Sequence, residues 1–148
     1  MQKTFINKHL PLAKKAGAEF RINPVVILAQ AAIESGWGQS TLAKEYHNFF
    51  GITAYGKKNL WWDGAKACLA EGSLLFRAYP DALHSFMDYA RLIRTAYPMA
   101  ADVSNNPQAF AKEIAYSRYI SEVNGDNREL YRRSLVQICR KIETTFNL

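Results

Sequence analysis

The chain has 148 residues, of which 49% are apolar and 22% charged, a balance typical of one globular domain. This composition excludes a disordered, collagen-like or low-complexity protein. A net charge of +6 favours contact with anionic polymers such as nucleic acid, anionic membrane or bacterial cell wall, and does not choose among them.

The two cysteines, Cys68 and Cys139, are too few for a disulfide framework or a metal site. Two free thiols are expected rather than one long-range bridge. The first residues lack the apolar core of a signal peptide, and no stretch is apolar enough to span a membrane. A protein without membrane insertion, exported by a phage, a secretion system or a parent protein, is therefore expected.

The first half of the chain predicts three helices. An apolar stripe runs through residues 4–20, and Pro11 is expected to kink or break that helix. Asn23–Pro24 predicts a capped start for a second helix, which is apolar on nearly every face and ends at Gly36. Such a helix belongs in the centre of a domain. A short third helix is predicted over 40–46.

The next segment has little helical period, and a small irregular β lobe is predicted over about 52–79. Three more helices follow: one from Pro80–Asp81, one from Asn106–Pro107 to about Ser117, and one from about Arg128 to Ile142 that buries Leu130, Leu135, Ile138 and Cys139. A polar loop is expected over 118–127. The predicted architecture is mainly α (α+β), with residues 1–148 forming one domain.

Glu34 breaks the pattern of the most apolar helix. A carboxylate among apolar neighbours is costly unless it is paired or protonated, so burial is expected to raise its pKa. A general acid that works near neutral pH needs such a shift. The alternative is an ion pair between Glu34 and a nearby Lys or Arg at the rim of the domain.

Five segments in order resemble the catalytic domain of glycoside hydrolase family 73, the family of flagellar muralytic domains and autolysin β-N-acetylglucosaminidases. They are AQAAIESGWGQS (29–40), NFFGI (48–52), WDG (62–64), FRAY (76–79) and SFMDY (85–89). The resemblance runs from about Phe5 to Ile142.

This resemblance implies a lysozyme-like fold, with a helical lobe and a small β lobe flanking a groove for peptidoglycan glycan strands. Glu34 would protonate the β-1,4 glycosidic oxygen as general acid. The cationic transition state would be met by water, a second carboxylate or the substrate's acetamido oxygen. No cofactor or metal is expected, and the protein is expected to be a monomer.

The sequence departs from the family in the β lobe, where the usual Thr-x-Glu-Tyr motif, the source of a second carboxylate, is missing. Glu71 is the first candidate for a general base or for a residue that positions water, and a turn residue before Gly72 is the alternative. Asp63 is a weaker candidate, with a loop position favoured.

Near its end the family pattern resembles Tyr-x-x-Asp-x-x-Tyr, which maps onto Tyr119, Asp126 and Tyr131 with a longer insert. Tyr131 is the candidate for a hydrogen bond to the acetamido group or the reacting water. Tyr119 and Asp126 are candidate substrate-binding residues, and Tyr116 is an alternative position for the first tyrosine.

Aromatic side chains are dense between residues 37 and 62, and aromatic rings stack on the apolar faces of sugars. The candidates for substrate binding are Trp37, Trp61 and Trp62 together with His47 and Asn48. Phe50 and one of the two adjacent tryptophans are expected in the core. A surface position is favoured for all three histidines, His9, His47 and His84.

The sequence leaves four other functions open. A lytic transglycosylase or an N-acetylmuramidase would share the fold and the single glutamate. A non-catalytic wall-binding module would use Glu34 only structurally. A nucleic-acid binder has little support, since the basic residues are dispersed. If the protein is an injected antibacterial effector, a cognate immunity protein that plugs the groove is expected.

Overall fold

The computed structural model describes residues 1–120 and 125–148, and side chains in the last helix from Asn127 onward. These parts contain the helices α1 (Gln2–Phe20), α2 (Pro24–Ser35), α3 (Thr41–Tyr46), α4 (Ala82–Ala96), α5 (Pro98–Asp102), α6 (Pro107–Ala115) and α7 (Gly125–Phe146), and the strands β1 (Lys66–Cys68) and β2 (Leu75–Arg77). The mainly helical fold with a small sheet is the predicted one.

Helix α2 lies in the centre of the domain, as predicted. The Asn23 side chain accepts a hydrogen bond from the backbone of Val25 at 3.0 Å, Pro24 takes the first turn, and Gly36 ends the helix with a φ of 57°. Helices α1, α6 and α7 pack around it, and its residues 25–32 are all buried. Its last turn therefore carries Glu34 out of the core to the edge of the domain.

The predicted break at Pro11 is wrong, because α1 continues through this residue to Phe20. Pro11 and Asn7, the residue whose carbonyl loses its bond, both lie on the exposed face of the helix. The opposite face packs against α2 and α4, and this packing holds the helix together across the missing hydrogen bond.

The last helix buries a narrower stripe than predicted. Leu135, Cys139 and Ile142 are fully buried and follow the three- and four-residue spacing of one helix face. Leu130 lies five residues before Leu135, off this stripe, and is 58% exposed, so its predicted burial is wrong. Helix α5 was not predicted, because five residues are too few to show a helical period.

The β lobe is a hairpin tied to the chain before it. Strands β1 and β2 are antiparallel, with Ala67 opposite Phe76, and Thr53 forms an isolated bridge to Phe76 on its other side. Both strands lie inside the predicted 52–79 segment. Phe76 is therefore held from both sides.

One buried carboxylate joins the β lobe to the helices. Asp88 of α4 accepts hydrogen bonds from Arg77 at 2.8 Å, Tyr79 at 2.5 Å, and Asn59 and Arg91 at 2.9 Å each. Arg77, Tyr79 and Asn59 come from the β lobe and its connections, so this cluster fixes the hairpin against α4.

Cys68 is exposed and Cys139 is buried, and both are free thiols, as expected. In the part of the chain that the structure describes, no helix combines the length and apolar character needed to cross a membrane.

Candidate functional site

A cleft of about 470 Å³ opens where the end of α2 meets the β hairpin. It is lined by Glu34, Phe50, Gly51, Ile52, Thr53, Leu74, Phe76, Leu92, Tyr97, Arg118 and Tyr119. Glu34 is the carboxylate among these lining residues, and Arg118 is the cation. The remaining wall is largely apolar or aromatic, which suits the faces of sugar rings.

Glu34 projects from the last turn of α2 into this cleft and is partly buried. Its Oε2 accepts a hydrogen bond from the Tyr131 hydroxyl at 2.6 Å. Burial raises the pKa of Glu34 above its ordinary value, and the hydrogen bond from Tyr131 lowers it in part. The net effect is a carboxyl group that holds its proton to higher pH than an exposed glutamate.

Behind Glu34 lies a buried amide that sequence reasoning missed. Gln30 Nε2 donates to the Tyr131 oxygen at 3.0 Å, and Gln30 Oε1 accepts from the Tyr89 hydroxyl. Gln30 and Glu34 are one helical turn apart and share a face of α2. The sequence does contain a signal for Gln30, because this polar residue interrupts the same apolar run that made Glu34 conspicuous.

Tyr119 lies at the cleft, where its hydroxyl donates to the Phe50 backbone carbonyl at 3.2 Å. Tyr116 instead is exposed and donates to Glu129 at 2.8 Å, so it is Tyr119 that the structure places at the cleft. The side chain of Asp126 lies outside the described residues.

The interpretation of Asn48 as a sugar contact is wrong. Its Oδ1 accepts from the backbone N–H groups of Phe50, Gly51 and Ile52, and its Nδ2 donates to the carbonyls of Ile52 and Arg77. The side chain is buried and all of its polar atoms have backbone partners. Asn48 therefore shapes the segment that lines the cleft without facing it.

Trp62 is also a core residue. Its ring is buried under the Arg77 guanidinium, 4.0 Å from the ring centroid, and its Nε1 donates to the Ala65 carbonyl at 2.8 Å. Trp61 is half-buried with its ring edge against Phe20, 5.2 Å between centroids. Neither tryptophan is among the cleft-lining residues.

Trp37 and His47 line a different depression, between the start of α1 and α3. The Trp37 ring packs edge-on against Phe5, and Trp37 is not among the residues that line the Glu34 cleft. His9 lines the same depression but is buried among Phe5 and Phe86, which corrects the expected surface position.

Glu71 lies in the exposed turn of the β hairpin and is not among the cleft-lining residues. The same hairpin brings Leu74 and Phe76 to the cleft instead. Asp63 is exposed and accepts from the Ala65 backbone N–H at 2.9 Å, the contact of a turn residue. The structure thus favours the turn position for both acids.

Within residues 1–120 and 127–148, no group of three or more His, Cys, Asp or Glu side chains is placed to hold a metal ion. The chemistry that the cleft itself offers is proton transfer from Glu34 beside apolar and aromatic walls.

The family profile described as mannosyl-glycoprotein endo-beta-N-acetylglucosaminidase matches residues 10–144. Peptidoglycan hydrolase FlgJ of Pseudomonas aeruginosa is 32% identical over 156 aligned positions, which cover 95% of this chain and 36% of that protein. The chain thus spans about a third of this curated relative's length.

Two solved structures share the fold. The glycoside hydrolase domain of Salmonella typhimurium FlgJ superposes with a TM-score of 0.76 at 24% identity, covering 99% of this chain and 91% of that domain. A peptidoglycan hydrolase from Sphingomonas sp. A1 superposes with a TM-score of 0.71 at 26% identity, covering 98% and 94% of the two chains.

Proposed function

Because the chain belongs to the glucosaminidase family, glycoside hydrolase family 73, we propose that it is a peptidoglycan hydrolase with Glu34 as general acid. It cleaves β-1,4 glycosidic bonds of the glycan strand, at the reducing side of N-acetylglucosamine. Residues 1–148 form the catalytic domain, which acts in the periplasm or cell wall.

The observation that carries this proposal is the position of Glu34. It is a partly buried carboxyl group at a cleft of sugar-binding character, with one hydroxyl donor at 2.6 Å. A raised pKa favours the protonated form of this group, which is the form that a general acid needs. The basic surface, with a net charge of +6, suits the anionic polymers of a cell wall.

In this proposal, a group of the substrate itself stabilises the positive charge that develops at C1 in the transition state. Among the cleft-lining residues in the described part of the chain, Glu34 is the only carboxylate, while Glu71 lies in the hairpin turn. The acetamido oxygen of N-acetylglucosamine attacks C1 as Glu34 protonates the leaving oxygen and the C1–O bond breaks. Water then attacks C1 of the cyclic intermediate, gives one proton back to the Glu34 carboxylate, and releases the acetamido group. A glycan whose glucosamine lacks the N-acetyl group is expected to resist cleavage.

Mass spectrometry of the fragments released from purified peptidoglycan tests the proposal. Wild type should release fragments one water heavier than those of lytic cleavage, with N-acetylglucosamine at the reducible end. Glu34→Gln should release none. Glu45→Gln, which removes an exposed carboxylate on α3, is the matched control and should behave as wild type.

Each rival function gives a different outcome. Anhydro-sugar ends would indicate a lytic transglycosylase, and muramic acid at the reducible end would indicate an N-acetylmuramidase. Retained binding to the wall with no released fragment would indicate a wall-binding module. A cognate immunity protein stays a prediction, and co-expression with the product of the neighbouring open reading frame tests it through relief of toxicity.

A further inference from the structure

Gln30 is fully buried in α2, where it lies among apolar residues. Burying an amide is costly unless its donors and its acceptor have partners. Here Gln30 joins two tyrosines from two other helices, Tyr89 of α4 and Tyr131 of α7. Gln30 thus links three helices through hydrogen bonds, and this series of bonds ends at Glu34. The arrangement indicates a role in directing protons.

The amide restricts the direction of every proton in this chain of hydrogen bonds. An NH₂ group can only donate, so the Tyr131 oxygen accepts from Gln30 at 3.0 Å. The Tyr131 hydroxyl has one proton, and that proton is therefore free to point at Glu34 Oε2, 2.6 Å away. With a carboxylate or carbonyl in place of the NH₂ group, the same proton would be drawn away from Glu34.

Tyr89 fixes which way the amide faces. Its ring is fully buried, and Gln30 Oε1 is the acceptor that the described residues give its hydroxyl. If the amide turned over, NH₂ would face the Tyr89 hydroxyl and leave that proton without an acceptor in the core. The unfavourable burial of an unpaired donor holds the amide in one orientation.

We propose that Gln30 is a positioning residue that keeps the Tyr131 hydroxyl as a hydrogen-bond donor to Glu34. The proposal rests on the proposed function for its catalytic meaning. Gln30 lies behind the cleft and is not among its lining residues. It acts only through Tyr131.

This arrangement balances two opposing effects on the acid. Burial favours protonated Glu34, and the donor hydroxyl favours the carboxylate that remains after the proton has left. A general acid works best when its pKa lies near the working pH, because it must both hold and release the proton. Gln30 thereby limits how far burial raises the pKa of Glu34.

The sharpest test is Gln30→Glu, which changes the shape of the side chain little but reverses the direction of the hydrogen bonds from position 30 through Tyr131 to Glu34. Burial raises the pKa of a carboxyl at position 30 as well, so the test is read above the pH at which this group ionises. The carboxylate then accepts from both tyrosines, and Tyr131 turns its lone pairs toward Glu34. Glu34 would then have to keep its proton, and its pKa should rise. Gln30→Met removes the donor without adding charge and should shift the pKa in the same direction by less.

Carbon-13 NMR of the glutamate carboxyl groups, with Glu34→Gln used to assign the Glu34 signal, reads this shift directly. The alkaline limb of kcat should move up in parallel. For Gln30→Met we expect kcat to fall about tenfold, the size of one ordinary hydrogen bond. KM should stay unchanged, since Gln30 does not touch the substrate. Gln137→Glu adds the same charge at an exposed site of α7 and should change nothing.

An unchanged Glu34 titration in folded Gln30→Met and Gln30→Glu would overturn the proposal. If Gln30→Glu does not fold, Gln30→Met and Tyr89→Phe decide, because each must shift the titration upward. The titration needs no substrate. An inactive wild type would therefore contradict the proposed function, while NMR would still test the direction of the hydrogen bonds from Gln30 through Tyr131 to Glu34.

Discussion

The pKa values of two carboxyl groups, Asp88 of α4 and the partly buried Glu34 of α2, are shifted in opposite directions. Asp88 of α4 is fully buried and accepts from four donors, two of them arginines. Burial alone would raise its pKa, but the Tyr79 hydrogen bond and the charges of Arg77 and Arg91 outweigh it, and the pKa is lowered.

Glu34 is less buried, yet its pKa is raised, because a single hydroxyl from Tyr131 faces it. Burial raises the pKa at both sites, so the number and charge of the donors decide whether the net pKa shift is upward or downward. Asp88, with its lowered pKa, joins the two lobes as a carboxylate. Glu34, with its raised pKa, is the group that the proposed function uses as proton donor at the cleft. The predictions below separate these two roles.

The largest expected effect is on activity. Glu34→Gln should lower cleavage of peptidoglycan by about a thousandfold or more, because the general acid is lost while the shape of the side chain is kept. Turnover is measured by the release of soluble fragments, with Glu45→Gln as control. Residual activity within tenfold of wild type would show that another group supplies the proton.

The same variant should not lose stability. A raised pKa means that Glu34 costs folding free energy as pH rises above the ordinary glutamate pKa of about 4.3. At neutral pH, urea unfolding of Glu34→Gln should therefore give a free energy equal to or above that of wild type. A clear loss of unfolding free energy would mean that the charged Glu34 carboxylate stabilises the fold.

Asp88→Asn should have the largest effect on stability, about 3–5 kcal/mol, since it leaves the buried Arg77 and the half-buried Arg91 without their counter-charge. Urea unfolding measures this loss. The lowered pKa of Asp88 makes its contribution present above the ordinary aspartate pKa and lost as the pH falls through the folded-state value. Wild-type stability should therefore fall below about pH 4 more steeply than that of the variant. Equal slopes would contradict this assignment.

The sequence predicts Glu34 well and Asp88 poorly, for a physical reason. Glu34 stands out because a charge follows a run of apolar residues in one helix, a local pattern. Asp88 lies in the SFMDY segment, but its partner Asn59 comes from 29 residues earlier in the chain, and no local spacing connects them.

For the same reason the sequence did not show that Asn48 is buried, or which of the two adjacent tryptophans lies in the core. Asn48 and Trp62 are residue types that bind sugars, and only the three-dimensional structure shows that their polar atoms face the backbone. The helix caps at Asn23 and Gly36 depend on adjacent residues and were predicted correctly. Local rules thus predicted these helix ends and the raised pKa of Glu34, whereas the walls of the cleft depend on tertiary contacts.

Tyr131→Phe should have an intermediate effect. The variant removes the hydroxyl that favours the charged form of Glu34, so the pKa of Glu34 should rise further and the alkaline limb of activity should move up. A hydrogen bond to a charged group is worth about 1.5–3 kcal/mol, so kcat should fall by about ten- to a hundredfold. A pH profile of kcat checks both, and an unmoved alkaline limb would contradict this role.

The smallest effect is expected for Glu71→Gln. Glu71 lies in the exposed hairpin turn, away from the residues that line the cleft, so kcat and KM should stay within about twofold of wild type. Steady-state kinetics on soluble glycan fragments measures this. A large fall in kcat at constant KM would instead make Glu71 the general base.

The comparison of the two carboxyl groups is tested most directly by titrating both in one sample. Carbon-13 NMR of side-chain carboxyl groups, assigned with Glu34→Gln and Asp88→Asn, should show Glu34 titrating above the exposed glutamates and Asp88 below the exposed aspartates. A Glu34 signal that titrates with the exposed glutamates would contradict the account of this residue as a general acid.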